Sequence, residues 1–397
     1  MLKWTWPLAA LVALSSCVGP PGDKPPYPPI DRPPEPVLEN AAAAGVVAGP
    51  SLRSLGIGEA DAAGALTAFK SSCDWPSEKD DQSGLTRRED WLDTCTAAFR
   101  WDGDALGFFE TYFETARVGD GNAFATGYFE PEILGSRTPR PGYDVPVYKM
   151  PEDLVRAWPA DMPESERKGR PPLGRYDDTG TFVEYYTRAE IEDGALAGRG
   201  LEIAWAADPV EFFFLQIQGS GLLRQPDGSV MRIGYAGQNG HGYTGIGGLM
   251  RERGLLGDGP GQYPGSMQGI MQYIRDNPEA GKALMRENES WVFFRELNTS
   301  GPLGSLGVPV TRGNSVAVDP RFVPYGAPVI LDMDRDVADG MWVAQDTGGA
   351  IKGANRFDTF WGAGDQARTI AGGMSARGLA LILLPRGTYD RLAAQAR

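Results

Sequence analysis

The chain has 397 residues, of which 38 are Lys or Arg, 52 are Asp or Glu and one is His, so its formal net charge is -14. This acidic balance argues against nucleic acid as a partner, because affinity for nucleic acid comes largely from basic contacts to phosphate. A single histidine argues against a metal centre. An uncharged or sugar-like ligand fits the composition better.

The N-terminus predicts a lipoprotein signal peptide over residues 1–17. Lys3 supplies a positive charge, a short apolar run ends at Leu14, and small residues precede Cys17. The run is shorter than the ~20 residues that a transmembrane helix requires, and small residues before a lone cysteine are typical of a lipoprotein cleavage site. We expect Cys17 to be lipidated. An ordinary signal peptide with an incidental cysteine is the alternative.

A proline-rich tether is predicted over residues 18–50. Proline fixes φ and removes a backbone donor, so the densest part of this segment favours extended polyproline II over a packed core. The tether would hold the rest of the chain away from a membrane. Because Val18 and not an aspartate follows Cys17, we expect the lipid-anchored chain at the periplasmic face of the outer membrane.

A small helical region follows the tether, in a remainder long enough for two domains. Apolar residues at helical spacing predict helices over Asp61–Ser72, Asp90–Phe99 and Asp104–Ala116. Cys73 and Cys95 flank a polar stretch here, and we expect them to form a disulfide because disulfides persist in exported proteins. Two free buried thiols are the alternative.

From Ala123 onward the pattern changes to short apolar or alternating runs separated by Gly, Pro and Asp, which is typical of strands. The first block of predicted strands comprises Phe124–Phe129, Val145–Lys149, Phe182–Thr187, Ile203–Ala206, Phe212–Ile217 and Val230–Tyr235. Asp227 and Gly228 predict a hairpin turn before the last of these, because glycine readily takes the positive φ that such turns require.

Two predicted helices, Gly245–Arg253 and Met267–Asp276, separate this block from a second one. The strands of the second block are Trp291–Phe294, Ser315–Val318, Pro328–Leu331, Met341–Gln345 and Leu379–Leu384. The predicted fold class is therefore mainly β in two blocks, with a few helices near the N-terminus. Abundant glycine and proline are expected of barrels built from short strands and tight turns.

Two segments of the first block carry side chains suited to sugar binding. Tyr128 and Glu130 lie at the end of a predicted strand, where Tyr128 could stack on a sugar ring. The alternative is that Tyr128 faces the core and Glu130 caps a turn. Gln216 and Gln218 would share one face of another strand and precede Ser220, and their amides are groups that recognise sugar hydroxyls.

A third segment, Tyr235–Tyr243, is dense in amides and contains the histidine. Gln238 and Asn239 are candidate sugar contacts. No second titratable group lies beside His241 in the sequence, and a lone histidine is more often a hydrogen-bonded structural residue than a catalyst. We therefore expect His241 to be structural.

The fourth segment holds three aspartates, Asp319, Asp346 and Asp358, with Lys352 between the last two. Each aspartate lies at a strand or turn position close to glycine or proline. Each could be a turn aspartate that bonds its own backbone, which is a common role of this residue beside Gly or Pro. Composition and spacing leave the structural and the functional interpretation open.

The order of these motifs resembles the membrane-bound lytic murein transglycosylase A family, and the resemblance runs from about Leu66 to Arg386. The aspartate block resembles the three-aspartate domain of that family, a double-psi β-barrel akin to the barrels of expansins. The resemblance implies that residues 51–122 and 290–390 form this barrel. It also implies that residues 123–289 form an inserted second β-barrel domain, with a groove for a glycan strand between the two.

The resemblance further implies cleavage of the β-1,4 bond between N-acetylmuramic acid and N-acetylglucosamine in peptidoglycan, without water, metal or cofactor, leaving a 1,6-anhydromuramoyl end. Asp358 would be the acid–base, Asp346 would support it or contact sugar, and Asp319 would be structural. Lys352 would join Tyr128 and the other substrate-binding candidates. Besides glycan strands and a membrane, complexes of cell-wall synthesis or division are possible partners.

An acid role requires a raised pKa at Asp358. Burial near Phe357, Phe360 and Trp361 would raise this pKa and a neighbouring Lys352 would lower it, and the sequence leaves the balance open. Two other functions fit the same residues. One is a non-catalytic, expansin-like glycan-binding module. The other is a hydrolase that uses Glu130 and Asp358 as paired carboxylates.

Overall fold

The structure is a computed structural model that describes residues 38–74 and 80–395. The predicted signal peptide, its Cys17 and most of the proline-rich tether lie outside the described residues. The strands are β1 (Val46–Ala48), β2 (Phe113–Val118), β3 (Asn122–Glu130), β4 (Glu132–Ser136), β5 (Val145–Tyr148), β6 (Val155–Arg156), β7 (Leu173–Tyr176), β8 (Phe182–Glu184), β9 (Glu202–Ala206), β10 (Ser220–Arg224), β11 (Val230–Gln238), β12 (Val292–Glu296), β13 (Ser315–Ala317), β14 (Pro328–Met333), β15 (Gly340–Asp346), β16 (Arg356–Ala363) and β17 (Ser375–Pro385).

Helices surround these strands along the whole described chain. The α-helices are α1 (Ala41–Ala44), α2 (Glu59–Ser72), α3 (Arg88–Arg100), α4 (Ala105–Tyr112), α5 (Arg188–Glu192), α6 (Pro209–Gln218), α7 (Ile246–Glu252), α8 (Met267–Asp276), α9 (Pro278–Arg286), α10 (Asp365–Gly372) and α11 (Thr388–Gln395). Short 3-10 helices cover Leu52–Leu55, Glu164–Glu166 and Asp336–Ala338. The predicted mainly β fold is confirmed.

Six strands close into a barrel. Each strand in the order β17, β14, β15, β13, β16, β3 is hydrogen-bonded to the next, and β3 pairs back with β17. Strands β2 and β1 extend the sheet outward from β17. Buried Val316, Trp342 and Phe357 contribute to one core with the helices α2, α3 and α4. The double-psi crossover within this barrel stays a prediction.

A second, six-stranded sheet has the order β12, β11, β10, β4, β9, β5 and its own core, which includes Phe212, Leu223 and Phe293. The predicted hairpin joins β10 to β11, with Gly228 at φ 86°. Strand β3 spans the predicted domain limit at residue 123 and pairs within the barrel, whereas β4 pairs within the second sheet. The chain passes from one sheet to the other at Pro131.

Two sequence predictions of secondary structure are wrong. The predicted strand Phe212–Ile217 is part of α6, because Asp208 caps the first amides, Pro209 occupies the first turn and Gly219 ends the helix at φ 78°. These capping signals outweigh the β propensity of three consecutive phenylalanines. The predicted helix Asp104–Ala116 ends at Tyr112, after which the chain continues as β2.

Cys73 and Cys95, the cysteines predicted to pair, are joined by a disulfide with their Cα atoms 5.6 Å apart. The bond ties the end of α2 to α3 across 22 residues of sequence. Phe69 packs beside it at the centre of an aromatic cluster, with ring centroids 5.4 Å from Phe113 and 6.0 Å from Phe108. The disulfide therefore joins two helices of the helical region to each other.

Removing this disulfide should destabilise the fold. A disulfide that closes a loop of this length lowers the conformational entropy of the unfolded chain, which adds about 3 kcal/mol to the free energy of unfolding. We expect the double variant Cys73→Ser, Cys95→Ser to lose about this much free energy of unfolding in urea denaturation. The wild-type chain under strong reductant should match the variant. Equal stability of the oxidised chain and the variant would contradict the prediction.

Candidate active site

Strand register brings Asp346 and Asp358 to the same region of the barrel. Strand β13 lies between β15 and β16, and its Ala317 is paired with Asp346 on one side and with Asp358 on the other. Because neighbouring strands lie ~4.8 Å apart, the two aspartates extend from strands roughly 10 Å apart. A register shift between Val316 and Ala317 adjusts the pairing of Asp346.

Asp358 is held by a directed hydrogen-bond chain. Thr126 is its register partner on β3, and the Thr126 hydroxyl donates to Oδ1 of Asp358 at 2.6 Å. The Thr126 oxygen in turn accepts from Nη2 of Arg356 at 2.9 Å, and the guanidinium lies over the ring of Phe124, 4.8 Å from its centroid. Because the hydroxyl oxygen of Thr126 accepts a hydrogen bond from Arg356, the hydroxyl proton of Thr126 points towards Asp358.

The environment of Asp358 favours the neutral acid. Burial raises the pKa of Asp358 from 3.8 to about 6, against the lowering effects of the Thr126 hydrogen bond and the charge of Arg356. The negative charge of Asp346 raises this pKa further. Near pH 6 the carboxyl group is thus divided between its acid and base forms. This property suits a group that must donate one proton and accept another.

Asp346 is fixed by three donors instead. Its Oδ1 accepts from the backbone amides of Ser305 and Thr347, both at 2.8 Å, and its Oδ2 accepts from the hydroxyl of Tyr128 at 3.1 Å. Burial raises the pKa of Asp346, and these hydrogen bonds act in the opposite direction. Both carboxylate oxygens are occupied, which suits a positioning role.

Tyr128 is bonded to Asp346 and is only 8% exposed, so its ring offers little surface on which a sugar could stack. Its ring packs on Phe360 with the centroids 5.0 Å apart. Burial and the negative charges of Asp346 and Asp358 raise the pKa of the Tyr128 phenol well above its usual value. The phenol therefore stays protonated and donates to Asp346.

A cleft of about 790 Å³ opens beside these residues and is lined by parts of both sheets. Seven predicted site residues line it: Tyr128, Gln216, Gln218, Ser220, Gln238, Asp346 and Lys352. Asp358, Glu130 and Asn239 are not among its lining residues. Asp358 lies next to the wall, because its register partner Thr126 is two residues from Tyr128 on β3 and Tyr128 lines the cleft. Burial and the charge of Asp358 raise the pKa of Tyr243, which also lines the cleft.

The glutamines of α6 are positioned differently from the shared strand face that the sequence predicts. Gln216 is buried, accepts from Nη1 of Arg188 at 2.6 Å and donates to the carbonyl of Val292 at 3.3 Å. Gln218 is half-buried, and its Oε1 accepts from the backbone amide of Phe129 at 2.9 Å. Both amides hold the wall of the cleft together.

Glu130 and Asn239 also have protein partners. Glu130 is buried and accepts from the guanidinium of Arg232 at 2.7 and 3.3 Å. Asn239 is fully buried and donates to the backbone carbonyls of Tyr186 and Glu289, both at 2.9 Å. The structure thus places Glu130 and Asn239, two predicted substrate contacts, among buried protein partners and not in the lining of the cleft.

Gln238 ends β11 and His241 lies in the loop that follows it, and both residues line the cleft. Oε1 of Gln238 accepts from the amide of Gly240 at 2.6 Å. Nε2 of His241 lies 2.7 Å from the carbonyl oxygen of Tyr185, and Nδ1 lies 3.6 Å from Glu289. These contacts support the structural role that we expect for the histidine.

Asp319 stabilises the loop that precedes β16. It is buried, forms an ion pair with Arg321 at 2.6 Å and accepts from the amide of Gly353 at 2.9 Å. Burial alone would raise the pKa of Asp319, but these hydrogen bonds outweigh it and the pKa lies below its usual value. Asp319 is thus an ionised structural residue.

Thr126, Arg356 and Ser305 also belong to the site, although the sequence patterns did not predict them. Thr126 is two residues from Tyr128 on one strand, so alternation alone places both side chains on the same face. Arg356 is likewise two residues from Asp358. Ser305 has no comparable signal, because its amide reaches Asp346 across 41 residues of chain.

Comparison with known proteins identifies two regions of the chain. Residues 124–295 match the family model of the MltA specific insert domain. Residues 314–384 match the family model of the 3D domain. The first range covers the six strands of the second sheet to within one residue, together with the separate three-stranded sheet β6, β7, β8. The second range contains the strands that carry Asp346 and Asp358.

Individual relatives match over most of the chain. The membrane-bound lytic murein transglycosylase A of Vibrio cholerae is 31% identical over 285 residues, which cover 68% of this chain and 68% of that protein. A membrane-bound lytic murein transglycosylase from Agrobacterium tumefaciens superposes with a TM-score of 0.76 at 30% identity, over 88% of this chain and 99% of that chain. MltA of Escherichia coli with bound chitohexaose superposes with a TM-score of 0.60 at 25% identity, over 86% and 94%.

Proposed function

Because this chain belongs to the membrane-bound lytic murein transglycosylase A family, we propose that it cleaves peptidoglycan glycan strands by non-hydrolytic transglycosylation. The bond cleaved is the β-1,4 link between N-acetylmuramic acid and N-acetylglucosamine, and the product carries a 1,6-anhydromuramoyl end. The observation that carries this proposal is a single aspartate, Asp358, with a pKa of about 6 beside a glycan-sized cleft. The chitohexaose bound to the relative from Escherichia coli supports a glycan ligand.

Asp358 acts twice in the proposed reaction. As the neutral acid it protonates the glycosidic oxygen, which leaves as the 4-hydroxyl group of N-acetylglucosamine while positive charge develops at C1 of the muramoyl sugar. The resulting carboxylate then takes the proton of the C6 hydroxyl group as that oxygen bonds to C1. One proton is given and one is taken back, so Asp358 returns to its acid form without metal or cofactor.

The neighbours of Asp358 support each half of this cycle. Thr126 directs a hydrogen bond at Oδ1, which leaves Oδ2 for the transferred proton. Asp346, with both oxygens occupied, contributes negative charge near the developing cation and holds Tyr128 and the Ser305 loop in place. Because the attacking hydroxyl belongs to the sugar itself, its effective concentration is high and a bound water is unnecessary.

Two alternatives remain distinguishable by their products. A hydrolase that pairs Glu130 with Asp358 is disfavoured, because Arg232 binds the buried carboxylate of Glu130. An expansin-like binding module would keep the cleft without any product. Purified peptidoglycan digested with the chain and analysed by mass spectrometry should yield anhydromuramoyl ends, whereas reducing ends would indicate a hydrolase and intact strands a binding module.

The pH dependence of the reaction should report the pKa of Asp358. The acid form is required, so kcat/KM should fall about tenfold per pH unit as the pH rises above about 6. In Thr126→Val the hydrogen bond that lowers this pKa is absent, so the same decline should begin at higher pH. Turnover of soluble glycan fragments between pH 4 and 9 measures both profiles. A decline that is unchanged in Thr126→Val would contradict the assignment.

We further propose that lipidated Cys17 anchors the chain at the periplasmic face of the outer membrane. Relatives named membrane-bound support association with a membrane. In the part of the chain that the structure describes, no helix is long and apolar enough to span a bilayer. Complexes of cell-wall synthesis or division are the protein partners that we propose for this location.

A further inference from the structure

The walls of the cleft carry more positive than negative charge. Arg188, Arg295 and Lys352 are among the described residues that line it, and Asp346 is the one carboxylate among them. The chain as a whole has a net charge of -14. The cleft is therefore a local exception that would attract an anionic group which the rest of the surface repels.

Arg295 is a cation of this cleft that lacks a protein partner. It is exposed on β12, and among the residues that the structure describes no acceptor lies within hydrogen-bond or ion-pair distance of its guanidinium. The adjacent Glu296 is paired with Arg137 instead. Arg188, by contrast, is buried and donates to Gln216 and to two backbone carbonyls. Arg295 thus keeps its hydrogen-bond donors for a ligand.

The cleft residues beside Arg295 are apolar or aromatic. Its register partner on β11 is Gly234, and the side chain of Leu297 fills the space beside this glycine, because a Cβ atom there would lie 2.4 Å from Cδ1 of Leu297. The next residue, Tyr235, has half of its surface exposed and lines the same cleft. An exposed arginine close to an exposed aromatic ring in one cleft can contact a sugar together with its acidic substituent.

The following inference rests on the proposed function: we propose that Arg295 binds a carboxylate of the glycan substrate, so that the cleft selects acidic muramoyl glycans over neutral ones. A guanidinium presents two parallel N–H groups to the two oxygens of a carboxylate. Peptidoglycan offers two sources of this group. One is the lactyl carboxylate of muramic acid where the peptide has been removed, and the other is the peptide attached to that lactyl group.

Binding measurements test this assignment without relying on turnover. Dissociation constants are measured by calorimetry for the full chain carrying Asp358→Asn, alone and combined with Arg295→Gln. The probes are peptide-bearing glycan fragments, peptide-free glycan fragments with free lactyl groups, and neutral chitohexaose. We expect Arg295→Gln to weaken binding of a carboxylate-bearing probe about tenfold, as for one charge-assisted hydrogen bond, and to change chitohexaose binding by less than about twofold.

Two further variants control for structural effects. Arg295→Lys keeps the charge and should restore part of the lost affinity. Arg251→Gln removes an exposed arginine of α7 that does not line the cleft, and it should leave all three dissociation constants unchanged.

The outcomes distinguish the two sources of the carboxylate. They also distinguish failure of the Arg295 assignment from failure of the proposed transglycosylase function. A loss confined to the peptide-free probe assigns Arg295 to the lactyl carboxylate, and a loss confined to the peptide-bearing probe assigns it to the peptide. A loss with both acidic probes means that Arg295 binds either carboxylate. Equal weakening of chitohexaose, or no change with either acidic probe, would overturn the inference. Failure of the proposed function would appear in the product analysis instead, because a protein that only binds glycans would still show this charge selectivity.

Discussion

Replacing Asp358 with asparagine is expected to lower the rate of peptidoglycan cleavage by at least about a thousandfold, while glycan binding changes by less than about threefold. The amide of asparagine can still accept the hydrogen bond from Thr126, so local geometry is retained. It cannot donate a proton to the glycosidic oxygen or accept one from the C6 hydroxyl group, and both half-reactions depend on this one group. Release of soluble muropeptides, followed by chromatography over time, measures the rate.

The matched control is Asp365→Asn, which makes the same chemical change at an exposed aspartate seven positions along the chain. This variant should cleave at the wild-type rate.

Thermal unfolding checks that Asp358→Asn is folded. Burial raises the pKa of Asp358 to about 6, so its ionisation weakens the fold as the pH rises through that value. The neutral variant should therefore be at least as stable as wild type at pH 8. Near-normal cleavage by Asp358→Asn would transfer the catalytic role to Asp346.

Replacing Glu130 with alanine is expected to lower the free energy of unfolding by about 3 kcal/mol. The Glu130 side chain is only 3% exposed and pairs with Arg232, which is 21% exposed. Removal of the carboxylate leaves the guanidinium with the carbonyl of Thr299 as its remaining acceptor. Some solvent reaches Arg232, which places the effect at the lower end of the range for broken buried pairs. Chemical denaturation at pH 7 measures the difference.

Glu132→Ala provides the control for this second prediction. Glu132 lies two residues further along and pairs with Arg224, but these side chains are 34% and 48% exposed. Exposed pairs are worth at most about 1 kcal/mol, so this variant should remain close to wild type. If Glu130→Ala were equally stable and instead raised the KM for glycan fragments, Glu130 would contact substrate as the sequence predicts.

Sequence patterns predicted secondary structure well where the local signals agreed. The hairpin at Gly228 and the helix Met267–Asp276 are examples, because each has a strong local signal in its own residues. Phe212–Ile217 failed for the opposite reason. Its aromatic residues favour a strand, whereas Asp208, Pro209 and Gly219 favour a helix, and the capping signals prevailed.

The site could be predicted only in part because its geometry depends on register. The motifs identified the aspartates, but nothing local shows that Asp346 and Asp358 are both paired with Ala317. The partners of Glu130 and Asn239 are also distant in sequence, with Arg232 lying 102 residues from Glu130. A polar residue in a motif therefore looks the same whether it contacts substrate or supports the framework.

In the proposed reaction a sugar hydroxyl, and not water, attacks C1 of the muramoyl sugar. The origin of that oxygen is measured by digesting purified peptidoglycan in water enriched with heavy oxygen and analysing the new glycan ends by mass spectrometry. The proposed reaction predicts 1,6-anhydromuramoyl ends that contain none of the heavy isotope. Reducing muramoyl ends that carry the heavy oxygen would contradict the proposal and identify the chain as a hydrolase.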